Sequence, residues 1–335
     1  MSTGLHRSTR IHHLYPRLVA DIGGTNVRFA LETAPGVLEE IDVRACETFP
    51  TLQDAAEDYL HQTGAQTVAH AAFGIATAVT SDQVRMTNHS WTFSIQALRD
   101  ALGLQSLVVI NDFTALALSL PHLPAHELRQ VGGGAALEGG TIALIGPGTG
   151  LGVSGLIPVG NGYVPLSGEG GHTSFAPCNE EEVAIWRYAQ ARFGHVSSER
   201  FLSGSGLALI HEARLELAGQ PAQHLTAADI TRRALGGQCP ACRASLDCFC
   251  GMLGTAAKGL ALTLGARGGV YIGGGIIPRL GEEFVRSPFR SRFEDAGRLS
   301  GYLESIPVFV IESPYPGLIG ATAALADFLR ESNHA

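Results

Sequence analysis

Short apolar runs alternate with longer amphipathic stretches along most of this chain. Apolar runs at residues 18–22, 69–75 and 107–110 predict buried strands. The stretches at 52–63 and 94–102 predict helices between those strands. Strands that alternate with helices in this way are typical of an α/β protein.

Two glycine-rich turns join neighbouring predicted strands. The first strand runs through Gly-Gly-Thr into a second strand at 26–31, which predicts a β-hairpin. A second hairpin is predicted from a strand at 141–146, the turn Pro-Gly-Thr-Gly and a return strand at 151–159. Each half of the chain therefore opens with strand, glycine-rich turn and strand, which indicates a structural duplication.

The second half of the chain continues with helices and one further strand. Helices are predicted at 180–193, 206–217 and 246–264. A strand at 269–272 runs into three successive glycines. A last helix at 320–329 is expected to pack back on the first half. The length of 335 residues suggests two domains, at about 100–200 residues per domain, with room for a cleft.

The composition argues against several functional classes for this protein. The net charge of -8 argues against a nucleic-acid partner, because binding a duplex depends on neutralising its phosphates with Lys and Arg. The chain has a single lysine, Lys258, which is followed by glycine. The sequence therefore contains neither a P-loop, which needs Gly-Lys followed by Ser or Thr, nor the early-strand lysine of a protein kinase.

Membrane and secretion signals are also not expected. The apolar run at 141–160 approaches the length of about 20 residues that a bilayer span needs. Its glycines and two prolines divide it, so strand, turn and strand is the better interpretation. Residues 1–17 are basic and polar without an apolar core and predict a flexible arm. No signal peptide is recognised, which leaves a cytoplasmic, reducing location as the expectation.

Four of the six cysteines cluster in the segment CPACRASLDCFC at 239–250. A zinc site would need two pairs on a loop that can fold around the metal. The second pair here is Cys-x-Cys, and the segment runs into a predicted helix. Buried or half-buried thiols on a helix are the simpler interpretation.

The two glycine-rich turns are candidate phosphate sites. In DIGGTNVR, residues 21–28, the turn leaves backbone N–H groups free to form an anion-binding nest, and Asp21 could hold Mg²⁺ directly or through water. GPGTGLG, residues 146–152, forms a second nest with Thr149. An ordinary hairpin with glycines at positive φ is the alternative for each motif alone.

An Asn-Asp pair marks a second candidate site. Asn111 and Asp112 stand where a predicted strand meets a helix, and strand ends of this kind face the ligand crevice in α/β folds. Asp112 could accept the proton of an attacking hydroxyl. The alternative is a helix N-cap aspartate.

Three further segments carry candidate groups. Glu169 and His172 lie three apart in SGEGGHTSFAP and could bind vicinal hydroxyls, although a mobile surface loop would look similar. Glu199 in SSERFLSGSG is a candidate hydroxyl acceptor, or simply a carboxylate at a helix start. The glycines of YIGGGIIP, residues 271–278, would allow a close approach to an adenine ring, or form a packing turn.

Taken together, these motifs resemble those of the bacterial glucokinase family, within the superfamily of actin-like ATPases, sugar kinases and heat-shock ATPases. The resemblance runs in order through residues 18–329. It implies an α/β fold of two actin-like (ribonuclease H-like) domains, each with a mixed sheet, and an interdomain cleft. The expected division is a flexible arm at 1–17, a small domain at 18–122 with 313–335, and a large domain at 123–312.

The resemblance also implies roles for individual residues. Asp112 would be the catalytic base, and Asp21 would lie near Mg²⁺. Asn88, in MTNHSW, would lie near the sugar. The residues expected to bind glucose are Asn111, Asp112, Glu169, His172 and Glu199. The residues expected to bind ATP are Ala20, Asp21, Ile22, Gly23, Gly24, Thr25, Asn26, Arg28, Gly148, Thr149, Gly150, Gly273, Gly274 and Gly275.

The function implied is transfer of the γ-phosphate of ATP to the 6-hydroxyl of glucose, with Mg²⁺, by a cytoplasmic homodimer. Three alternatives remain open at this point: a kinase for another hexose or N-acetylhexosamine, a non-catalytic sugar or nucleotide sensor, and a filament-forming ATPase. The related repressors carry a cysteine-rich zinc loop after their histidine loop, whereas only Cys178 follows His172 closely here. A repressor would also need a winged helix-turn-helix before residue 18.

Overall fold

The computed structural model describes residues 15–65, 67–160 and 162–332. The described residues form two compact units, the first made of those up to residue 123 and from residue 314 onward, and the second of those from 124 to 313. A flexible arm was predicted for residues 1–17. Residues 1–14 of it lie outside the described residues, and Arg17 belongs to the first strand. Within the described ranges, no helix combines the length and hydropathy that crossing a bilayer demands.

The strands are numbered in chain order. They are β1 Arg17–Ile22, β2 Asn26–Ala34, β3 Val37–Ala45, β4 His70–Ile75, β5 Gln83–Arg85, β6 Thr92–Ser94, β7 Ser106–Asn111, β8 Leu128–Val131, β9 Ile142–Pro147, β10 Leu151–Val159, β11 Gly162–Pro165, β12 Val270–Ile272 and β13 Val308–Ile311.

The α-helices are numbered in the same way. They are α1 Leu52–Thr63, α2 Ile95–Ala101, α3 Asp112–Ser119, α4 Glu180–Phe193, α5 Ser198–Phe201, α6 Gly204–Leu217, α7 Ala227–Leu235, α8 Pro240–Leu264, α9 Glu282–Val285, α10 Phe289–Glu294, α11 Ser300–Glu304 and α12 Pro316–Ser332.

The first unit is built on a five-stranded mixed sheet in the order β3-β2-β1-β4-β7. The β1–β2 and β2–β3 pairs are antiparallel, as the predicted hairpin requires, and β1–β4 and β4–β7 are parallel. Helix α1 starts with a capping box, in which Thr51 and Asp54 each accept a hydrogen bond from the other's backbone N–H.

Both faces of this sheet are covered, because successive side chains of a strand point to opposite sides. Leu18 on β1 packs with Phe29 and Tyr59 in one buried cluster. Its neighbour Val19 packs on the other face with Leu318 and further residues of α12. The last helix therefore returns to the first unit, which confirms the prediction from the sequence, although it begins at Pro316 rather than near residue 320.

The second unit contains a six-stranded mixed sheet in the order β11-β10-β9-β12-β13-β8. Its first five strands repeat the pattern of the first unit, with two antiparallel pairs followed by two parallel pairs. A separate buried cluster, to which α8 contributes Phe249 and Leu253, forms its core. The repetition confirms the structural duplication indicated by the two hairpins, and it agrees with the predicted α/β class with a mixed sheet in each half.

Helix α8, like α12, begins earlier than the sequence predicted. Helix α8 starts at Pro240 instead of residue 246. Cys239 caps its first turn, and proline suits the first helical position because its missing N–H would be unpaired there. Three of the four clustered cysteines therefore lie in the helix itself. Among the described residues, no group of three or more His, Cys, Asp or Glu side chains is arranged to hold a metal ion.

Candidate active site

The candidate catalytic residues of the first unit lie at the carboxyl ends of β1 and β7, the two strands on either side of β4. Asp21, near the end of β1, is in register with Gly74 of β4. Ile75, the last residue of β4, is in register with Asn111, the last residue of β7. Because β1, β4 and β7 are parallel, these ends meet at one edge of the sheet, where α/β folds bind their ligands.

Asp21 is held by its partner across the first hairpin. The Arg28 guanidinium donates to Asp21 Oδ2 at 3.1 Å, and the two residues are paired in the β1–β2 register. Burial raises the pKa of Asp21 above its usual value, and the Arg28 charge opposes that rise. The start of α12 also abuts this carboxyl, because a Cβ placed on Gly317 would lie 2.8 Å from Asp21 Cγ. The space around Asp21 therefore depends on a glycine in the last helix.

The Gly-Gly-Thr turn packs against the segment that contains Asn88. The Gly23 N–H donates to Asn26 O at 2.9 Å and closes the turn. A Cβ on Gly24 would lie 2.8 Å from Asn88 Cβ, so the second glycine is needed for this close approach. The Thr25 side chain is exposed. The structure thus brings Asn88 to the first glycine turn, and its expected position near the sugar stays a prediction.

Asp112 is a second carboxyl group of the site whose pKa is raised. It is the first residue of α3, and its Oδ1 accepts hydrogen bonds from Asn111 Nδ2 at 3.0 Å and from the Phe113 N–H at 2.9 Å. Burial raises the pKa of Asp112 to about 7, and the nearby Asp21 carboxylate adds to that rise. A carboxyl group with a pKa near neutrality is suited to accept a proton at physiological pH.

Asn111 is hydrogen-bonded within the protein, and its expected contact with the sugar stays a prediction. Its Oδ1 caps α3 by accepting from the N–H groups of Phe113 and Thr114. Its Nδ2 donates to Thr77 O at 3.2 Å and to Asp112 Oδ1. Both ends of the amide are thus engaged within the protein. Asn111 therefore orients Asp112, and it could reach a sugar hydroxyl only by sharing these bonds.

In the second unit, the Pro-Gly-Thr-Gly turn lies beside the glycines that follow β12. The Gly148 N–H donates to Gly150 O at 2.8 Å and closes the turn between β9 and β10. The Gly273 N–H donates to Ile145 O at 3.0 Å. Gly274 has φ of +78°, and a Cβ there would lie 2.4 Å from Pro147 O. The two predicted nucleotide motifs of this unit therefore form one glycine-lined surface.

Glu199 is hydrogen-bonded directly behind this turn. Its Oε2 accepts from the Leu151 N–H at 2.9 Å. A Cβ on Gly150 would lie 2.4 Å from the same oxygen, so only glycine leaves room for the carboxylate. The Gly204 N–H, at the start of α6, donates to Gly148 O at 2.9 Å and ties the segment after Glu199 to the turn.

Glu169 and His172 lie on a short 3₁₀ turn packed against the start of β10. Gly171 is buried there, and a Cβ on it would lie 2.1 Å from Leu151 O. Glu169 Oε2 and His172 Nε2 are 4.0 Å apart, and their side chains are 63% and 60% exposed. Both groups are therefore open to a ligand.

A backbone hydrogen bond links this turn to α5. The Ser198 N–H donates to Thr173 O at 2.8 Å. Ser198 precedes Glu199 in the chain, and Thr173 follows His172. The bond therefore fixes the spacing between the segments that carry Glu199 and His172. The Glu199 carboxylate and the turn that carries Glu169 and His172 thus both meet the backbone of Leu151, within one unit.

The charges of the first unit fit Mg²⁺ bound together with a nucleotide. Mg²⁺ commonly takes one or two carboxylates and completes its shell with water and substrate phosphates. Asp21 and Asp112 are close enough for their charges to interact, and both pKa values are raised by burial. Asp21 would hold such an ion directly or through water, and the ion would offset the repulsion between the two carboxylates.

Three neighbours of the site were missed from the sequence. Thr77 accepts the Asn111 amide, Leu151 donates to Glu199, and Gly317 adjoins Asp21. Two of them contribute only backbone atoms and the third contributes the lack of a side chain. Leu151 alone had a signal, because it directly follows the Pro-Gly-Thr-Gly turn.

Known proteins match this chain over almost its whole length. A family model described as Glucokinase matches residues 18–328. A glucokinase of Chromobacterium violaceum is 60% identical over 329 residues, which is 98% of this chain and 93% of the relative.

Solved structures agree with this comparison. A crystal structure of a glucokinase from an Antarctic psychrotroph is 38% identical, with a TM-score of 0.85, and the match covers 93% of this chain and 99% of the other. A ROK family glucokinase from Streptomyces griseus, solved with glucose and AMPPNP, has a TM-score of 0.63 at 20% identity, covering 93% and 100% of the two chains. At that identity the likeness concerns the fold.

Proposed function

Because this chain belongs to the glucokinase family, we propose that it transfers the γ-phosphoryl group of ATP to the 6-hydroxyl of glucose, giving glucose 6-phosphate and ADP. The relatives named above are glucokinases, and one of them was solved with glucose and an ATP analogue. The observation that carries the proposal is Asp112, a half-buried carboxyl group with a pKa of about 7 that directly follows the carboxyl end of β7.

Asp112 acts as the general base in this proposal. Its Oδ1 is fixed by Asn111 and by the Phe113 N–H, so the carboxylate has a defined orientation. It accepts the proton of the 6-hydroxyl while that oxygen attacks the γ-phosphorus and the bond to the β-phosphate oxygen breaks. Since phosphoryl transfer requires little covalent chemistry from the protein, positioning and charge stabilisation supply most of the acceleration.

The remaining polar side chains bind glucose. Glu169 and Glu199 accept hydrogen bonds from hydroxyls, and His172 donates or accepts according to its tautomer. A site that pairs several polar groups with hydroxyls can reject an analogue lacking one of them by up to about 10⁴–10⁵-fold. The exposed positions of Glu169 and His172 are compatible with this role, because both are open to a ligand.

The glycine turns bind ATP through backbone N–H groups other than those of Gly23, Gly148 and Gly273, which are hydrogen-bonded within the fold. The proposed contacts come from the first turn with its flanking strands (Ala20, Asp21, Ile22, Gly23, Gly24, Thr25, Asn26, Arg28), from the second turn (Gly148, Thr149, Gly150) and from Gly273, Gly274 and Gly275. Bound Mg²⁺ would neutralise charge on the phosphates. Chelation with EDTA should therefore stop turnover, and excess Mg²⁺ should restore it.

A sugar panel tests the proposed reaction. ADP release is measured with ATP, Mg²⁺ and each of glucose, mannose, fructose and N-acetylglucosamine, and the glucose product is identified with glucose-6-phosphate dehydrogenase. Glucose should give the highest kcat/KM. A higher value for another sugar would assign the chain to that substrate, and no ADP release with any sugar would reject the kinase proposal.

We also propose that the protein acts in the cytoplasm as a homodimer. The dimer is an inference from the family resemblance, and cytoplasmic action accords with ATP as the donor. Sedimentation velocity of the purified protein tests the first point, with a single species of twice the chain mass as the expected result. Cell fractionation tests the second.

A further inference from the structure

The segment Cys-Pro-Ala-Cys at the start of α8 has no part in the proposed kinase site. Cys239 is the N-cap of this helix, with extended backbone dihedrals of φ -133° and ψ 95°. Its Sγ accepts a hydrogen bond from the Cys242 N–H at 3.3 Å. The first thiol is thus directed at the backbone of the second cysteine, where a helix exposes unpaired N–H groups and favours negative charge.

The two thiols differ in exposure and acidity. Cys239 is half-buried and Cys242 is fully buried. Hydrogen bonding with the Cys242 thiol and N–H, assisted by the Arg233 charge, lowers the pKa of Cys239. Burial and the contact with Cys239 raise the pKa of Cys242 to about 11. An accessible, more acidic thiol beside a buried one is the arrangement of a nucleophilic cysteine with its resolving partner.

We propose that Cys239 and Cys242 form a redox-active pair that closes reversibly to a disulfide by exchange with a low-molecular-weight disulfide such as oxidised glutathione. The site is independent of the kinase proposal, because neither cysteine contacts a residue assigned to glucose or ATP in the contacts described above.

Helix geometry permits this bond and disfavours the alternatives. Residues three apart on a helix have Cα atoms about 5 Å apart, within the range of about 4.4–6.8 Å found for disulfides. Cys248 and Cys250 are only two apart, so their side chains point to nearly opposite sides of α8, about 200° around its axis. Burial also raises the pKa of both of these thiols to about 12. They should remain reduced.

The exchange proceeds in two balanced steps. The Cys239 thiolate attacks one sulfur of oxidised glutathione, forming a Cys239–glutathione disulfide and releasing one glutathione thiolate. The Cys242 thiol then loses its proton and attacks Cys239 Sγ, which forms the protein disulfide and releases the second glutathione thiolate. Two protein thiols are oxidised and one glutathione disulfide is reduced to two thiols.

Thiol mapping after equilibration with glutathione tests the proposal. The folded full-length protein is incubated in buffers of increasing oxidised-to-reduced glutathione ratio, then alkylated and analysed by peptide mass spectrometry. The peptide with Cys239 and Cys242 should lose two hydrogen atoms and become resistant to alkylation as the ratio rises, and excess reduced glutathione should reverse this. Cys248 and Cys250 should remain free thiols throughout.

Two variants separate the roles of the cysteines. Cys242→Ser should accumulate the Cys239–glutathione mixed disulfide, because the resolving thiol is gone. Cys178→Ser removes an exposed thiol outside the pair and should leave the titration unchanged. Circular dichroism and kinase turnover of each reduced variant report whether it is folded. The proposal is overturned if Cys239 and Cys242 stay alkylatable at every ratio, or if Cys242→Ser fails to trap glutathione while folded.

Discussion

At the scale of single residues, the account depends on the environment of Asp112. Its carboxyl group lies between a capping amide and a neighbouring carboxylate at the edge of a sheet. The sequence identified this aspartate because a buried strand runs directly into a helix there. It could not reveal Thr77 or Gly317, because their proximity to Asn111 and Asp21 arises from folding across long stretches of chain and not from any local pattern.

The raised pKa of Asp112 sets the direction of the pH dependence of catalysis. The base must be ionised, so kcat/KM should fall as pH drops through about 7. A pH–rate profile with saturating Mg²⁺ and ATP measures this. An Asp112-dependent rate that stayed constant down to the ordinary aspartate value of 3.8 would contradict the raised pKa.

The same pKa predicts a pH effect on stability of opposite sign. Between the ordinary value of 3.8 and about 7, the folded state binds the Asp112 proton more tightly than the unfolded chain does. The contribution of this group to stability is therefore present at low pH and is lost as pH rises through about 7. The melting temperature of Asp112→Asn minus that of the parent protein, both measured without ligands, should increase as pH rises. A constant difference would contradict the prediction.

The substitution Gly317→Ala tests whether catalysis needs the space that Gly317 leaves for the Asp21 carboxylate. Gly317→Ala would place a Cβ 2.8 Å from Asp21 Cγ and displace that carboxylate. Because a displacement of about 1 Å can cost roughly 10²-fold in rate, kcat/KM for Mg–ATP should fall by about that factor. Gly301→Ala is the control, since a Cβ there meets nothing within 4 Å. Equal kinetics for the two variants would show that Asp21 does not need this space.

At the scale of secondary structure elements, the contact between α3 and α12 helps to position Asp112, the first residue of α3. Gly320 of α12 lies so close to α3 that an added Cβ would be 1.6 Å from Ala115 O. Ala115 is one turn after Asp112, so the separation of these helices bears on the position of the base. Neither helix shows this contact in its own apolar pattern, which is why the sequence predicted the packing of α12 but not its closest point.

Two glycine substitutions at helix positions compare crowded and open environments. Gly320→Ala should lower the free energy of unfolding by about 1–3 kcal/mol or more, because the helices must separate. Gly259→Ala in α8, where a Cβ meets nothing within 4 Å, should raise it by roughly 0.5–1 kcal/mol. Urea denaturation measures both values. A Gly320→Ala variant as stable as the parent protein would contradict the described contact.

The elements missed from the sequence are mostly short or at sheet edges. Strand β3, Val37–Ala45, carries mixed polar residues and is partly exposed, because it lies at the edge of the first sheet. Strand β8 occupies an edge of the second sheet and has four residues. Such strands bury little surface, so their apolar patterns are weak. The interior strands β1, β4 and β9 were predicted because almost all of their residues are buried. Strand β7 was predicted from its apolar run, although it lies at the other edge of the first sheet.

At the scale of the whole molecule, the chain contains two units with separate buried cores. The repeated strand order links the two glycine hairpins noticed in the sequence to equivalent places in the two sheets. What the sequence could not supply was that the Glu199 carboxylate and the turn carrying Glu169 and His172 both meet the backbone of Leu151. This depends on hydrogen bonds between segments that are separated in the chain.

The two tryptophans allow the cores to be followed separately, since Trp91 packs in the first and Trp186 in the second. In a Trp186→Phe background, Gly320→Ala should lower the urea midpoint reported by Trp91. In a Trp91→Phe background, the same substitution should change the midpoint reported by Trp186 less. Equal shifts for both reporters would show that the units unfold as one.

The most direct test of the central claim is the steady-state kinetics of Asp112→Asn, with glucose binding measured in parallel by calorimetry. Loss of the general base should lower kcat for glucose phosphorylation by about 10²–10⁴-fold while the glucose dissociation constant changes little. Asparagine keeps the size of the side chain, so the fold should persist. A variant that phosphorylates glucose at close to the parental rate would contradict the assignment of Asp112 as the base.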